Sequence, residues 1–229
     1  MKKVITTIFA LLFATASYSV EKPTFSAGLS IAGGLFEADG ASEKFTGSHS
    51  SGAGSNVTKN ASSEGEDAEG LFAIGSIFIE KTLGDKFALG IDYVPHSLES
   101  ETTENTQTTT TSSATGTNTV QVDFDDLMTV YGMISLNENV YLKAGYMQVD
   151  VTTNEVLATG GSYGNTDLDG YTVALGYNRD LNNGAFLRLE GSYMDLDGAT
   201  LINSADTTKS VTADGITGYG AKLSIGKSF

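Results

Sequence analysis

Apolar residues recur at every second position through much of the chain, the period of a β-strand with two unlike faces. Phe25, Ala27, Leu29 and Ile31 alternate with Ser26, Gly28 and Ser30. Phe87, Leu89, Ile91 and Tyr93 alternate with Ala88, Gly90 and Asp92. The same rhythm returns at Val140–Tyr146, Tyr171–Tyr177, Leu187–Tyr193 and Tyr219–Ile225. Two further stretches, Leu71–Leu83 and Met128–Leu136, are strongly apolar but their facing is not fixed by alternation. These segments predict eight strands, and helical periodicity is hard to find.

The connections alternate in length. Gly84-Asp85-Lys86, Asn137-Glu138-Asn139 and Asn182-Asn183-Gly184 are tight-turn sequences of the kind hairpins use. The others, 37–69, 99–120, 154–167 and 199–213, are long and rich in Gly, Ser, Thr, Asn and Asp. Glu101–Asn118, with its Thr108–Thr111 run, holds too little apolar surface to offset its ordering entropy and is expected to be mobile. In an up-and-down meander such alternation puts all short turns at one end and all long loops at the other. A weak repeat agrees: LGDKFALGIDY (Leu83–Tyr93) is echoed by LNENVYLKAGY (Leu136–Tyr146) and LNNGAFLRLEGSY (Leu181–Tyr193).

The face opposite the apolar one decides the environment. It carries Asp92, Lys143, Arg188, Glu190 and Lys222 among Gly, Ser, Thr and Ala. A water-facing surface would hold more Lys and Glu. Small residues with a few charges suit the crowded lumen of a narrow barrel whose apolar face meets lipid, and eight strands leave room only for side chains inside. Three of these charges are cationic and two acidic, so one partner is missing; Glu80 or Asn178 is a candidate to supply it. Read otherwise, the same residues line a narrow solute path.

The N-terminus is a separate object. Met1-Lys2-Lys3, the apolar run Val4–Phe13 and the small residues Ala14-Thr15-Ala16 have the layout of a secretory signal. Cleavage is expected after Ala16 or Ser19, giving a signal at 1–19 and a barrel at 20–229. Formal charge is −15, and loss of Lys2 and Lys3 takes it to −17. No basic patch favours nucleic acid. There is no cysteine, hence neither disulfide nor thiolate chemistry.

With its signal, its short-turn and long-loop hairpins and its last strand running to Phe229, the chain resembles small eight-stranded outer-membrane proteins of the OmpA and OmpX type. The resemblance is architectural and spans nearly all of 20–229. It implies an antiparallel up-and-down transmembrane β-barrel with short periplasmic turns and long extracellular loops. It also implies that Tyr219, Ala221, Leu223, Ile225 and Phe229 form the signal read by the barrel-assembly machinery. Lys227 departs from that pattern, standing where an apolar or aromatic residue is usual; a lysine at a membrane boundary can extend its ammonium to water.

Tyr93, Tyr146, Tyr171, Tyr177 and Tyr193 read as an interfacial aromatic girdle. Asp167-Leu168-Asp169-Gly170 and Asp195-Leu196-Asp197-Gly198 repeat a DLDG motif, and Asp123, Asp125, Asp126 and Asp150 extend the acidity. This is an acidic rim, with Asp169, Asp195 and Asp197 as weak candidates for a metal. His49 lies in the first loop, and His96 is the one residue placed to act as a general base; no G-x-S-x-G accompanies either. The sequons at Asn56 and Asn60 lie in a loop rich in the same residues. The expected protein is therefore non-enzymatic and without cofactor. It is an outer-membrane barrel contacting lipid and the assembly machinery, with an unknown loop ligand. The alternatives are a narrow cation-preferring channel and a soluble exported barrel holding an apolar ligand.

Overall fold

The computed structural model describes residues 25–38, 42–45, 63–64, 68–108 and 115–229. The segment 1–19 expected to be a signal, His49 and both sequons lie outside these residues. Eight long strands form the wall: β1 Phe25–Ala38, β2 Ala68–Leu83, β3 Phe87–Tyr93, β4 Thr115–Ser135, β5 Val140–Leu157, β6 Thr166–Asp180, β7 Ala185–Leu196 and β8 Ile216–Ser228. Each pairs antiparallel with its sequence neighbour, and β8 returns to pair with β1. The register of that seam runs from Ser26–Ser228 to Ala38–Ile216. Phe229 N–H donates to the Phe25 carbonyl at 2.7 Å below it. A closed barrel has no exposed sheet edge, the condition for a strand protein to cross lipid. The short turns gather at one end as expected; the Asn182–Gly184 turn uses positive φ at Asn183 and Gly184.

The apolar face points outward. Leu29, Ile31, Leu175, Leu189, Leu223 and Ile225 are all half exposed or more. This facing overturns the soluble-barrel alternative, which needs those residues inside. It also settles the two ambiguous stretches. In β2, Leu71, Ile77 and Ile79 face out while Ser76, Phe78 and Glu80 are buried inside. In β4, Ile134 faces out and Tyr131 is buried.

The long connections correct the sequence reading. Thr103–Thr108 is a strand paired with Thr115–Val120, so the described part of the polar tract expected to be mobile continues the wall above the membrane; 109–114 lie outside the described residues. β5 and β6 leave only 158–165 between them. Lys209–Ala213 pairs with Ala199–Ile202 and with Ser42–Phe45, which pairs in turn with Ser63–Glu64. Threonine explains this. Its polar side chain reads as loop, but its β-branch favours extended backbone. Asn203 fastens the last loop to 158–165, its amide donating to the Gly160 carbonyl at 3.1 Å.

Candidate functional site

Glycine sets the geometry of the lower lumen. Tyr131 lies opposite Gly90, and Tyr141 opposite Gly176, on adjoining strands. A Cβ on either glycine would fall 2.4 and 2.2 Å from the tyrosine ring. Each ring therefore lies flat across its neighbour and aims its hydroxyl into the bore. Tyr131 donates to Glu80 Oε1 and Tyr141 to Glu190 Oε1, both at 2.7 Å.

Around these carboxylates the five charged residues expected in the lumen come together. Arg188 Nη1 meets Glu80 at 2.5 Å and its Nε donates to Asn178 Oδ1 at 3.1 Å. Lys143 is bonded to Glu190, and Lys222 reaches Asp92 at 2.8 Å. Glu80 is thus the third acid that the charge count required, and Asn178 adds a hydrogen bond. The Arg188 guanidinium lies 4.4 Å from the Phe186 ring centroid and 5.7 Å from that of Phe78. Lys143 stands 4.9 Å from the ring of Tyr131. Glu80 and Glu190 are each only 4 % exposed, so these are buried ions, stable only because each has a partner. The network draws on every strand but β1, which contributes Ser30 to a hydroxyl pair with Ser224 on β8 at 2.8 Å. Tyr131 escaped the sequence reading because its stretch shows no alternation.

Above this plug the wall reverses its polarity. In β5, Val140, Leu142, Ala144 and Tyr146 face out, whereas Met147, Val149 and Val151 face in and are buried. Their outward neighbours are Gln148, Asp150 and Thr152. Leu168 and Leu196 join the inner cluster, with Val122, Phe124, Leu127, Met194 and Ile216 packed against it. The acidic residues occupy the outer side at this level. Asp125, Asp150 and Asp167 lie directly opposite one another on three adjoining strands. Burial, and then repulsion from Asp126, Asp167 and Asp125, hold the Asp150 carboxyl above the usual range.

A row of tyrosines marks the changeover. Tyr146 pairs with Tyr171. The Tyr171–Tyr193 and Tyr193–Tyr219 centroids are 6.3 and 5.3 Å apart. Tyr93 donates to Asp126 at 2.5 Å, Tyr171 to Asp195 at 2.9 Å and Tyr193 to the same carboxylate at 3.1 Å. Tyr177 does not belong here: it pairs with Leu189 and Val140 near the short turns, with Phe25, Phe87 and Phe229 at the same end. From Tyr219 to Phe229 the strand climbs about 33 Å, or about 25 Å across a membrane when tilted ~40°, the height of a lipid-facing band.

The remaining candidates are not assembled into chemistry. Asp195 is occupied by two tyrosine hydroxyls, and among the described residues no three acidic or imidazole groups converge on a metal position. His96 Nε2 accepts from the Gly75 N–H at 3.1 Å, which places the proton on Nδ1, 3.2 Å from the Ser97 carbonyl. It caps the β2 backbone just above the last β2–β3 pair, Ile77–Tyr93.

A closed eight-stranded barrel with an apolar outer band and a plugged lumen of paired charges is an integral outer-membrane β-barrel. Its particular relatives are given by fold alone. No protein-family model matches the sequence, and no curated protein matches it. Among solved structures the chain is similar to OprG of Pseudomonas aeruginosa, at 14% identity over 89% of this chain and 96% of that one, with a TM-score of 0.47. AlkL matches at 11% identity over 93% of each chain, with a TM-score of 0.46. Ail of Yersinia pestis matches at 11% over 87% and 98%, with a TM-score of 0.32. The class assignment rests on the chain's own geometry.

Proposed function

We propose that this barrel is a non-enzymatic, non-conducting component of the outer membrane that presents an acidic extracellular wall as a contact surface. The observation that carries the reading is the plug. Three ion pairs and the rings of Phe78, Tyr131, Tyr141 and Phe186 converge within the bore of an eight-stranded wall. An eight-stranded barrel has little bore to spare once such side chains fill it. Above the plug, Asp123, Asp125, Asp150, Asp167, Asp169, Asp195 and Asp197 give the outer surface one sign of charge, suited to selecting a partner electrostatically. His96 is engaged with backbone at both ring nitrogens, which supports a structural role for it. The segment 1–19 is a cleaved export signal in this reading. Tyr219, Leu223, Ile225 and Phe229 serve the assembly machinery, their exposure on the lipid face of β8 making them readable along one edge. Tyr93, Tyr146, Tyr171 and Tyr193 form the outer girdle, and Tyr177 belongs to the inner one.

The test is conductance in planar bilayers, with protein first checked as a compact band in unboiled SDS that disappears on boiling. The reading expects such a band and no resolvable current steps. Steady cation-selective steps from the same compact species would overturn it in favour of the channel. Lipid modification lost in His96→Ala would overturn the non-enzymatic part.

A further inference from the structure

Lys227, the exception in the last strand, has company. The cations among the described residues fall into three groups. Lys143, Arg188 and Lys222 are in the lumen, and Lys44 and Lys209 are in the loop sheet. Lys81, Lys86, Arg179 and Lys227 all stand at the short-turn end. Between that end and the tyrosine row the outer surface of the described wall bears no cation, and above the row it is acidic.

Arg179 and Lys227 form one unit. Both face outward and are exposed. Arg179 pairs with Leu187, and Lys227 with Ala185, so they flank β7 from either side, about 10 Å apart across the sheet and offset by two residues along it. Between and above them runs an exposed apolar lane of Leu187, Leu189 and Ile225. Phe229 lies beneath the Lys227 ammonium, 5.6 Å from it. Asp180, next to Arg179 in sequence, accepts from the Asn178 amide at 2.8 Å. Among the described residues the other acidic side chains at this end, Asp85 and Glu138, lie in the other turns.

We infer that this face of the periplasmic rim binds an anionic phospholipid, its phosphate held between Arg179 and Lys227 and its acyl chains on the Leu187–Leu189–Ile225 lane. A guanidinium meets phosphate oxygens through two parallel N–H donors, and a lysine adds a point charge. Both side chains lay their stems along apolar surface and carry the charge to the headgroup level. The ligand must be a lipid because the two charges sit at the foot of a lipid-facing lane. The acidic wall at the opposite rim repels the same headgroup, so the preference belongs to one leaflet. The inference depends on the barrel lying in a bilayer and not on its lumen being closed.

The experiment uses the refolded barrel in phosphatidylcholine vesicles with trace spin-labelled phosphatidylglycerol or phosphatidylcholine, reading the fraction of each label immobilised at the protein surface. Wild-type protein should immobilise the anionic label roughly fivefold more strongly, the weight of one well-engaged interfacial cation. The preference should fall toward parity in Arg179→Gln/Lys227→Gln, and in the wild type at about 0.5 M salt. Asp167→Asn/Asp195→Asn, altered at the other rim, should not lower it. Equal immobilisation of the two labels by the wild type, or a preference indifferent to salt, overturns the inference without need of a variant. So does a double variant that keeps both its compact band and its preference. No immobilised lipid of either kind would instead contradict the transmembrane barrel itself.

Discussion

The lower and upper halves of the wall share strands, hydrogen-bond ladder and closure, yet they are inside-out relative to each other. Below the tyrosine row Leu175 and Leu189 meet lipid while Arg188, Glu80 and Lys143 fill the interior. Above it Asp150 and Asp167 face out while Val149, Val151 and Leu168 make a core. The reversal teaches that strand alternation records which solvent lies on each side. The backbone is indifferent, provided its groups are paired. The lower half is a membrane protein stabilised inside by partnered ions; the upper half is built like a water-soluble barrel. β5 crosses the boundary between Tyr146 and Met147 without a bulge of its own, simply by moving its apolar residues from even to odd positions.

Breaking the ion network should cost most. Arg188→Ala leaves Glu80 buried without its cation and should lower stability by about 3–5 kcal/mol in urea unfolding from lipid. Pairing it with Glu80→Gln should restore part of that, since the second charge is then gone. Truncating the upper core comes next: Leu168→Ala should cost about 3 kcal/mol by the same measurement. A charge on the outer face then separates the halves directly. Leu175→Arg should cost about 2–3 kcal/mol at lipid depth, whereas Gln148→Arg, on the outer face of the upper half, should stay within about 0.5 kcal/mol.

The smallest effect concerns pH. The Asp150 carboxyl is raised in the folded state, so the folded protein binds more proton than the unfolded chain between the ordinary carboxylate range and the raised value. Its contribution therefore falls as pH rises through that window. Asp150→Asn should stabilise slightly at pH 7, and the gain should vanish as pH drops below the ordinary carboxylate range. A gain that grows on acidification would contradict the repulsion among Asp125, Asp150 and Asp167.

Much of the lower half was legible in the sequence because its two faces differ. Leu187, Leu189 and Tyr193 against Arg188, Glu190 and Ser192 specify a strand, its face and its lumen charges at once. β2 resisted because Phe78, lying over Gly28, puts an aromatic ring inside a strand whose outer face is also apolar. Glu80, on which Arg188 depends, could therefore be named from the charge count but not from the facing of its strand. The upper half was misread for the opposite reason. Thr103–Thr108 and its partner Thr115–Val120 are mostly polar on both faces, which resembles a loop by composition. The reversal at Gly145-Tyr146-Met147-Gln148-Val149-Asp150-Val151 was present as a phase change, detectable only by asking where alternation shifts register. Tyr177 was grouped with Tyr171 because parity reports the face and not the height.

The central claim, that the wall changes solvent between Tyr146 and Met147, is most directly tested by single cysteines along β5 in lipid vesicles. The chain has none of its own. Reactivity with a membrane-impermeant maleimide, together with quenching of an attached fluorophore by nitroxide lipids, should show three classes. Leu142→Cys and Ala144→Cys should be unreactive toward the maleimide. Labelled with a permeant fluorophore, they should be quenched by lipid. Gln148→Cys, Asp150→Cys and Thr152→Cys should be reactive and unquenched, and Val149→Cys and Val151→Cys protected from both. Lipid quenching that continued through positions 148, 150 and 152 would mean the outer face remains in the membrane and the reversal is no boundary.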